Sequence, residues 1–444
     1  MVRRALGAGL VSLSVALGAL DPIPAAEAAA KVERVVSPGG IEAYLLSEPS
    51  IPFLSLSLHF RGGAALDPVG KEGLAYMVSG LLDEGAGDLD SQAFRTELED
   101  RAIRLSFDAG RDEFTGRLKT LTRHRARAFE LLRLALTEPR FDAEPVERIR
   151  NQIQADLRRR TEDPEYLAGL TWFATAFAEH PYGRPVEGSV ESVGAIATAD
   201  LGRFVADRLA RDNLVVGVAG DVTAAELGPL LDRAFGDLPA HSAPYRLEER
   251  AAPADAGTVV LRRHVPQSQV LFGQEGLARD DPDFYAGYVA NHILGGGGFT
   301  SRLTEEVREK RGLAYSVYSY LYPMEFGPLW LGGLGTANAA VGQAVEVVRE
   351  QLARMAAGEI SQAALDDART YLTGSFPLRL TSNDAIAGTL VAMQVDDLGL
   401  DYLERRNDYI EAVTLADVRR VAARLYHPDR LLVVVVGEPE GLQG

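Results

Sequence analysis

The sequence predicts an α+β fold built from two homologous α/β halves, each a sheet packed with helices, that close on each other as a clamshell around a chamber. Three observations predict it: a long internal echo, continuous apolar strands at matching places in the two copies, and a stretch between them rich in Pro, Ala and charge. The echo aligns Thr198–Asp221 with Leu415–Glu438. Asp200 pairs with Asp417, Asp212 with Asp429, Gly220 with Gly437 and Asp221 with Glu438, each pair 217 residues apart with no gap between. Chance often makes a helix–turn–strand twice; a register kept through an Asp, a Gly and an acidic end points to duplication.

Both copies open with a Thr and an Asp near a helix start, where their side chains cap free backbone N–H groups. A short amphipathic helix, a tight turn and an apolar strand follow. Leu431–Val436 is apolar at every position, which suits a strand covered on both faces or centred in a sheet. In the first half, Phe53–Phe60 alternates as a strand and Gly73–Leu82 has helical apolar spacing. Leu105–Ala109 and Phe114–Leu121, on either side of Gly110-Arg111-Asp112-Glu113, read as a hairpin. Helices are expected over Arg123–Leu136, Pro145–Arg160 and Tyr166–Ala178. The second half restarts with a strand at Thr258–Arg262, then helices near Pro282–Leu294 and Ser301–Lys310. The domain reading is therefore 31–240, a linker 241–257, and 258–444.

Residues 1–28 stand apart. Arg3 and Arg4 precede an apolar run from Ala5 to Leu20, and Ala25-Ala26-Glu27-Ala28-Ala29-Ala30 offers A-x-A cleavage options, the layout of a secretory signal peptide. A retained anchor is the alternative, but the run is short against the roughly 20 residues of a span. The expected location is the periplasm, with no membrane span. There is no cysteine among the 444 residues, which excludes disulfides, a lipidated cysteine and thiolate metal sites. At 46% hydrophobic content the chain can bury cores without them, and one core rarely grows beyond about 250–300 residues. The net charge of −17 argues against nucleic acid as a partner.

Gly295-Gly-Gly-Gly-Phe-Thr-Ser-Arg-Leu-Thr-Glu-Glu-Val-Arg-Glu-Lys-Arg-Gly-Leu-Ala-Tyr-Ser-Val-Tyr318 resembles a signature of the pitrilysin/insulinase/mitochondrial processing peptidase family of inverzincin zinc metallopeptidases. Gly73-Leu-Ala at a helix start and His180-Pro-Tyr-Gly support the resemblance, which covers essentially the whole chain after the leader. Active members carry H-x-x-E-H on a helix and a further Glu downstream. Two His four residues apart share a helix face and bind one zinc, and the Glu serves as base for the polarised water. Here Tyr76 and Gly80 stand at the two His positions, Ser79 at the Glu, and the downstream Glu position falls on Asp156. The seven His (59, 124, 180, 241, 264, 292, 427) include no pair four apart. A new metal site assembled from distant His and carboxylates is the alternative. The resemblance implies that this chain binds no metal and no other cofactor, and that it does not hydrolyse peptides alone.

It also implies what is kept. The family's Arg and Tyr, seven residues apart, match Arg308 and Tyr315. Arg308 falls in the last turn of an expected helix, Gly312 permits a break, and Tyr315 begins the next strand. An extended peptide presents carbonyl oxygens, and both side chains are donors. The plain readings are a solvated helix face for Arg308 and a packed strand position for Tyr315. Arg311 is a second cationic candidate for holding substrate. Gly295, Gly296, Gly297 and Gly298 lack the G-x-x-x-x-G-K-[ST] phosphate-loop pattern, and a close-packed or flexible turn beside the substrate fits them better. The resemblance implies a zinc-less subunit of a heteromeric periplasmic metallopeptidase. Its partner, a homologous H-x-x-E-H-bearing chain in a heterodimer or higher assembly, would hold the zinc, and the substrate would be an unstructured peptide. The hairpin around Gly110 offers an edge strand to which such a peptide can add. A structural or peptide-binding member with no role in proteolysis is the alternative. An enzyme of unrelated mechanism lacks support, since there is neither G-x-S-x-G nor cysteine.

Overall fold

The computed structural model describes residues 31–252, 257–440 and 442. The expected leader, residues 1–28, and part of the expected linker lie outside them. The first half forms a six-stranded sheet from β1 (Glu33–Val36), β2 (Glu42–Ser47), β3 (Phe53–Arg61), β4 (Arg104–Ala109), β5 (Glu113–Leu121) and β6 (Leu214–Gly220), in the order β1-β2-β6-β3-β5-β4. The second half forms a five-stranded sheet from β7 (Thr258–Arg262), β8 (Gln267–Glu275), β9 (Ala314–Tyr322), β10 (Leu329–Ala337) and β11 (Leu432–Gly437), in the order β7-β11-β8-β10-β9. One neighbour of each echoed strand is parallel: β2 beside β6 and β7 beside β11. The other pairings are antiparallel. Apart from β1, the second sheet repeats the first strand for strand.

The echoed glycines show why the register survived. Gly220 ends β6 at φ +125° and Gly437 ends β11 at φ +156°. A Cβ on Gly220 would lie 2.4 Å from the carbonyl oxygen of Phe53 at the start of β3, and one on Gly437 would lie 2.1 Å from Ser268 Oγ near the start of β8. At both places the chain turns so close to the neighbouring strand that no side chain fits. The caps match too. Asp200 accepts from the N–H of Ala197 at 2.8 Å, while Thr414 and Asp417 cap each other's backbone at 3.1–3.2 Å.

β6 and β11 are the strands that read as apolar throughout, and the fold covers both of their faces. On one face lie the helices of their own half, in cores holding Leu56, Phe60, Phe129 and Phe235 in the first and Phe272, Trp330, Val348 and Tyr426 in the second. The other face is covered by a helix from the opposite half. Asn383–Val395, late in the chain, lies across β6 and β3 of the first sheet, and Pro164–Ala176 lies across β11 and β8 of the second. Each donated helix also sends a side-chain N–H to a carbonyl of the central strand. Trp172 Nε1 donates to Leu432 O at 3.2 Å, and Gln394 Nε2 donates to Val216 O at 2.8 Å. Where the halves meet, two half-open clefts lie beside Asn383–Val395, of about 550 and 500 Å³.

Most expected elements occur within a few residues of their expected limits, with helices at Arg125–Thr137, Ala143–Arg160 and Pro164–Ala176. Three differ. The helix expected over Gly73–Leu82 is only Leu74–Ser79, closed by Gly80. Phe284–Asn291 is α-helical but continues as a wider π turn, His292–Gly296, and the expected Ser301–Lys310 helix is largely a second π turn, Thr304–Glu309. Such widened turns gather at functional sites.

Candidate functional site

The structure brings Tyr76, Ser79, Gly80 and Asp156 together. All four line one cleft of about 650 Å³ with Phe107, Asp108, Ile149, Gln152 and Glu187. Leu74–Ser79 turns Leu74, Ala75, Met77 and Val78 into the core, which leaves Tyr76 to face the cleft. Its first turn is held by Asp67, which accepts the N–H of Gly73 at 3.0 Å and of Ala75 at 3.1 Å. Burial raises the Asp67 carboxyl to about 7 against the opposing pull of those bonds. Ala143–Arg160 supplies Ile149, Gln152, Ile153 and Asp156 from one helical face, spaced three or four apart.

These groups do not fit zinc. A phenol stands at one imidazole position and a glycine with no side chain at the other. The Ser79 hydroxyl, where the base would be, is spent on the Tyr76 carbonyl at 2.8 Å. Asp156 is already neutralised, by Arg159 and by Arg160 Nε at 2.6 Å. Arg160 also pairs with Glu187 at 3.0 Å and stacks over the Tyr166 ring at 5.5 Å. A guanidinium thus bridges two carboxylates of the cleft and occupies the charge of Asp156, which stands at the position of the metal-binding Glu. Burial, then the Glu187 charge, pushes the Tyr76 phenol up, so it remains a neutral donor. Among the described residues, no three His, Cys, Asp or Glu side chains converge as a metal site.

Arg308 and Tyr315 are also brought together, and neither lines that cleft. Gly312, at φ +61°, ends the π turn, and β9 begins at Ala314. The Arg308 guanidinium lies 4.9 Å from the Tyr315 ring centre and 4.9 Å from that of Phe299. Tyr315 is thus not the packed strand residue of the plain reading, while Arg308 keeps a partly solvated helix-face position with its guanidinium set against two exposed rings. Tyr315 is 83% exposed at the start of an edge strand, and Phe299 is 75% exposed. Cation–π contacts at such sites contribute only about 0.5–1 kcal/mol, so the arrangement orients the guanidinium more than it stabilises the fold. Arg308 has one exposed ion pair, to Glu309 at 3.2 Å. The Tyr315 hydroxyl has no hydrogen-bond partner among the described residues.

Arg311 is placed differently. Its guanidinium bonds both the carboxylate and the carbonyl oxygen of Glu306, at 2.5 and 2.8 Å. Lys310 and Arg311 together hold the Glu306 carboxyl below its ordinary range. Of Gly295–Gly298, the first two pack closely at β9, whereas a Cβ on Gly298 would meet nothing within 4 Å. A Cβ on Gly295 would lie 2.3 Å from Ser319 Oγ, and one on Gly296 2.8 Å from Asn291 Nδ2. Asn291 anchors the turn by accepting from Ser319 Oγ and Trp330 Nε1, both at 2.8 Å.

Sequence reasoning missed Arg160, Glu187 and Phe299. Arg160 follows Asp156 by four residues, a helical pair that spacing alone could have flagged. Glu187 carried no such signal, being in a loop reached only through tertiary packing. Phe299 sat in view inside the glycine-rich segment.

Fold and site together define a duplicated, two-half α+β protein of metallopeptidase type whose metal ligands are replaced. A family model described as insulinase (peptidase family M16) matches residues 43–190, and one described as peptidase M16 inactive domain matches residues 195–372. A protein of Helicobacter pylori named as a non-peptidase homolog is 31% identical over 77% of this chain and 78% of its own length. An uncharacterized zinc protease of Mycobacterium leprae is 27% identical over 89% of this chain and 89% of its own length. A crystal structure of a peptidase M16 inactive domain from Pseudomonas fluorescens superposes with a TM-score of 0.86 at 29% identity, covering 93% of this chain and 99% of that one. The chain belongs to the insulinase family, peptidase family M16, as a member without the zinc-binding residues.

Proposed function

We propose that this chain is the zinc-less subunit of a heteromeric periplasmic metallopeptidase. A homologous partner bearing H-x-x-E-H supplies zinc, water and base; this chain holds an unstructured peptide and lends Arg308 and Tyr315 to the partner's site. The observation that carries the reading is the exposed Tyr315 phenol beside an oriented Arg308, with its donor unspent. Arg308 and Tyr315 are absent from the lining of this chain's own degenerate cleft, so their use lies toward another molecule. In the assembled site the phenol donates to the oxyanion of the tetrahedral intermediate, and Arg308 donates to a neighbouring substrate carbonyl. β4, the outermost strand of the first sheet, runs past the degenerate cleft through Phe107 and Asp108. Its free edge gives an extended peptide a line of backbone partners.

Reconstitution tests this. This chain, the candidate partner and their mixture are assayed on an unstructured peptide. Hydrolysis by the mixture alone, lost with Tyr315→Phe or Arg308→Ala, supports the proposal. Full activity from this chain by itself overturns it. A mixture indifferent to both substitutions also overturns it, and favours a structural or peptide-binding role instead.

A further inference from the structure

The first sheet turns a cationic face toward the second half. Across β3, β5 and β4, two rows stand side by side: Ser57–Arg117–Ser106 and Ser55–Lys119–Arg104. All six line the cleft of about 550 Å³ beside the first turn of Asn383–Val395. Arg104 and Lys119 are direct cross-strand partners, and Arg117 is the diagonal neighbour of Arg104. Like charges directly opposite weaken a sheet, and diagonal neighbours lie only about 7–8 Å apart.

Among the described residues one carboxylate is bonded to these three cations; Asp108, the other diagonal neighbour of Arg117, forms no ion pair with it. Asp384 pairs with Lys119 Nζ at 2.9 Å and accepts from Ser55 Oγ. The guanidiniums of Arg104 and Arg117 are exposed and form no ion pair or hydrogen bond among the described residues. The chain as a whole carries a net charge of −17, so this local excess runs against its surroundings. Two unpaired guanidiniums, flanked by serine hydroxyls, form a donor set suited to a planar anion.

Position then names the source of the anion. Arg104 and Ser106 alternate on β4, whose outer edge is free and whose far end, Phe107–Asp108, borders the degenerate cleft. A peptide extended along that edge advances about 3.3 Å per residue and sends alternate side chains to one face. Those on the Arg104–Ser106 face arrive at the guanidiniums.

We infer that Arg104 and Arg117, with Ser57 and Ser106, form a subsite for the carboxylate of an acidic side chain on a polypeptide running along β4. This rests on the peptide-holding reading above. The same donors suit free phosphate, so the test separates the two sources.

The full chain, without its leader, is titrated into a labelled unstructured peptide with one central Glu, and into its Gln counterpart, with anisotropy as readout. The Glu peptide is expected to bind about tenfold tighter at low salt, the preference shrinking as salt is added. The double variant Arg104→Gln, Arg117→Gln, melting like wild type, should bind both peptides alike and with the wild-type affinity for the Gln peptide. Peptides that bind wild type with no Glu preference overturn the subsite and leave peptide binding standing, as does a preference that survives in the double variant. Failure of every peptide to bind, with or without the partner subunit, overturns the β4 reading itself. Inorganic phosphate that binds wild type but not the variant, while peptides show no Glu preference, assigns the patch to free anions and overturns the inference.

Discussion

Trp172 tests whether the exchanged helices couple the two halves. Its indole is fully buried against the other half's sheet, donates to Leu432 O at 3.2 Å and packs edge-on to Phe173, with ring centres 5.3 Å apart. Gly273 of β8 leaves room for it: a Cβ there would lie 2.7 Å from the indole. Trp172→Ala removes the indole and leaves a void walled partly by strand backbone, which cannot collapse inward as side chains can. Truncations of buried Trp cost about 3–5 kcal/mol, and the rigid wall puts this one in the upper part of that range. Urea unfolding of the full chain is the assay. The midpoint should fall sharply with little change in slope, and both halves should unfold in one transition. Hydrogen exchange should speed up in β8 and β11, although the substitution lies in a helix from the first half. A loss below about 1 kcal/mol, or faster exchange confined to Pro164–Ala176, would refute the idea that this helix is structural cover for the second sheet.

Further expectations concern the sites. Tyr315→Phe and Arg308→Ala should leave stability within about 0.5 kcal/mol, since both groups are surface features. Tyr315→Phe should nevertheless lower hydrolysis by the reconstituted mixture about 10²–10³-fold, as loss of an oxyanion donor does; a matching loss of melting temperature would show a structural role instead. Asp67 gives a pH dependence. Its carboxyl is raised to about 7 in the fold, so the native state holds the proton more tightly than the unfolded chain. That stabilisation is full below the ordinary carboxylate range and is lost as pH rises through about 7. Asp83, raised by burial to about 6, acts in the same sense at lower pH, while His59, held down to about 4 by burial, acts in the opposite sense up to the ordinary imidazole range, so the comparison with a variant isolates Asp67. Between pH 6 and 7 the unfolding free energy of Asp67→Asn should fall less, or rise more, than that of wild type; equal slopes would dismiss the assignment. Lastly, the combined Tyr76→His, Ser79→Glu, Gly80→His, Asp156→Glu variant has room at position 80, where a Cβ meets Ile149 at 3.5 Å. It should still take up zinc substoichiometrically until Arg160→Ala is added, by elemental analysis after dialysis. Equimolar zinc with Arg160 intact would show that the guanidinium does not compete for the site.

Local chemistry wrote much of this protein into its sequence. The paired Asp, Gly and acidic ends of Thr198–Asp221 and Leu415–Glu438 fixed the duplication, because caps and a backbone approach too close for a side chain depend on residue type at set spacings. Replacement of the zinc ligands was equally readable, since a tyrosine, a serine and a glycine stand where the family carries two imidazoles and a carboxylate. The seven-residue interval from Arg308 to Tyr315, with Gly312 between, was enough to place both on one turn-to-strand junction. Other features needed the third dimension. An apolar β6 or β11 says that something covers its second face, but hydrophobic periodicity is blind to what arrives from two hundred residues away, and the cover proved to be a helix from the opposite half. The ion bridge from Asp156 through Arg160 to Glu187, the ring of Phe299 under Arg308, and the cationic rows across β3, β5 and β4 all arise from register and packing. Charge and ring contacts act over a few ångströms of space, and only the folded chain decides which residues come within them.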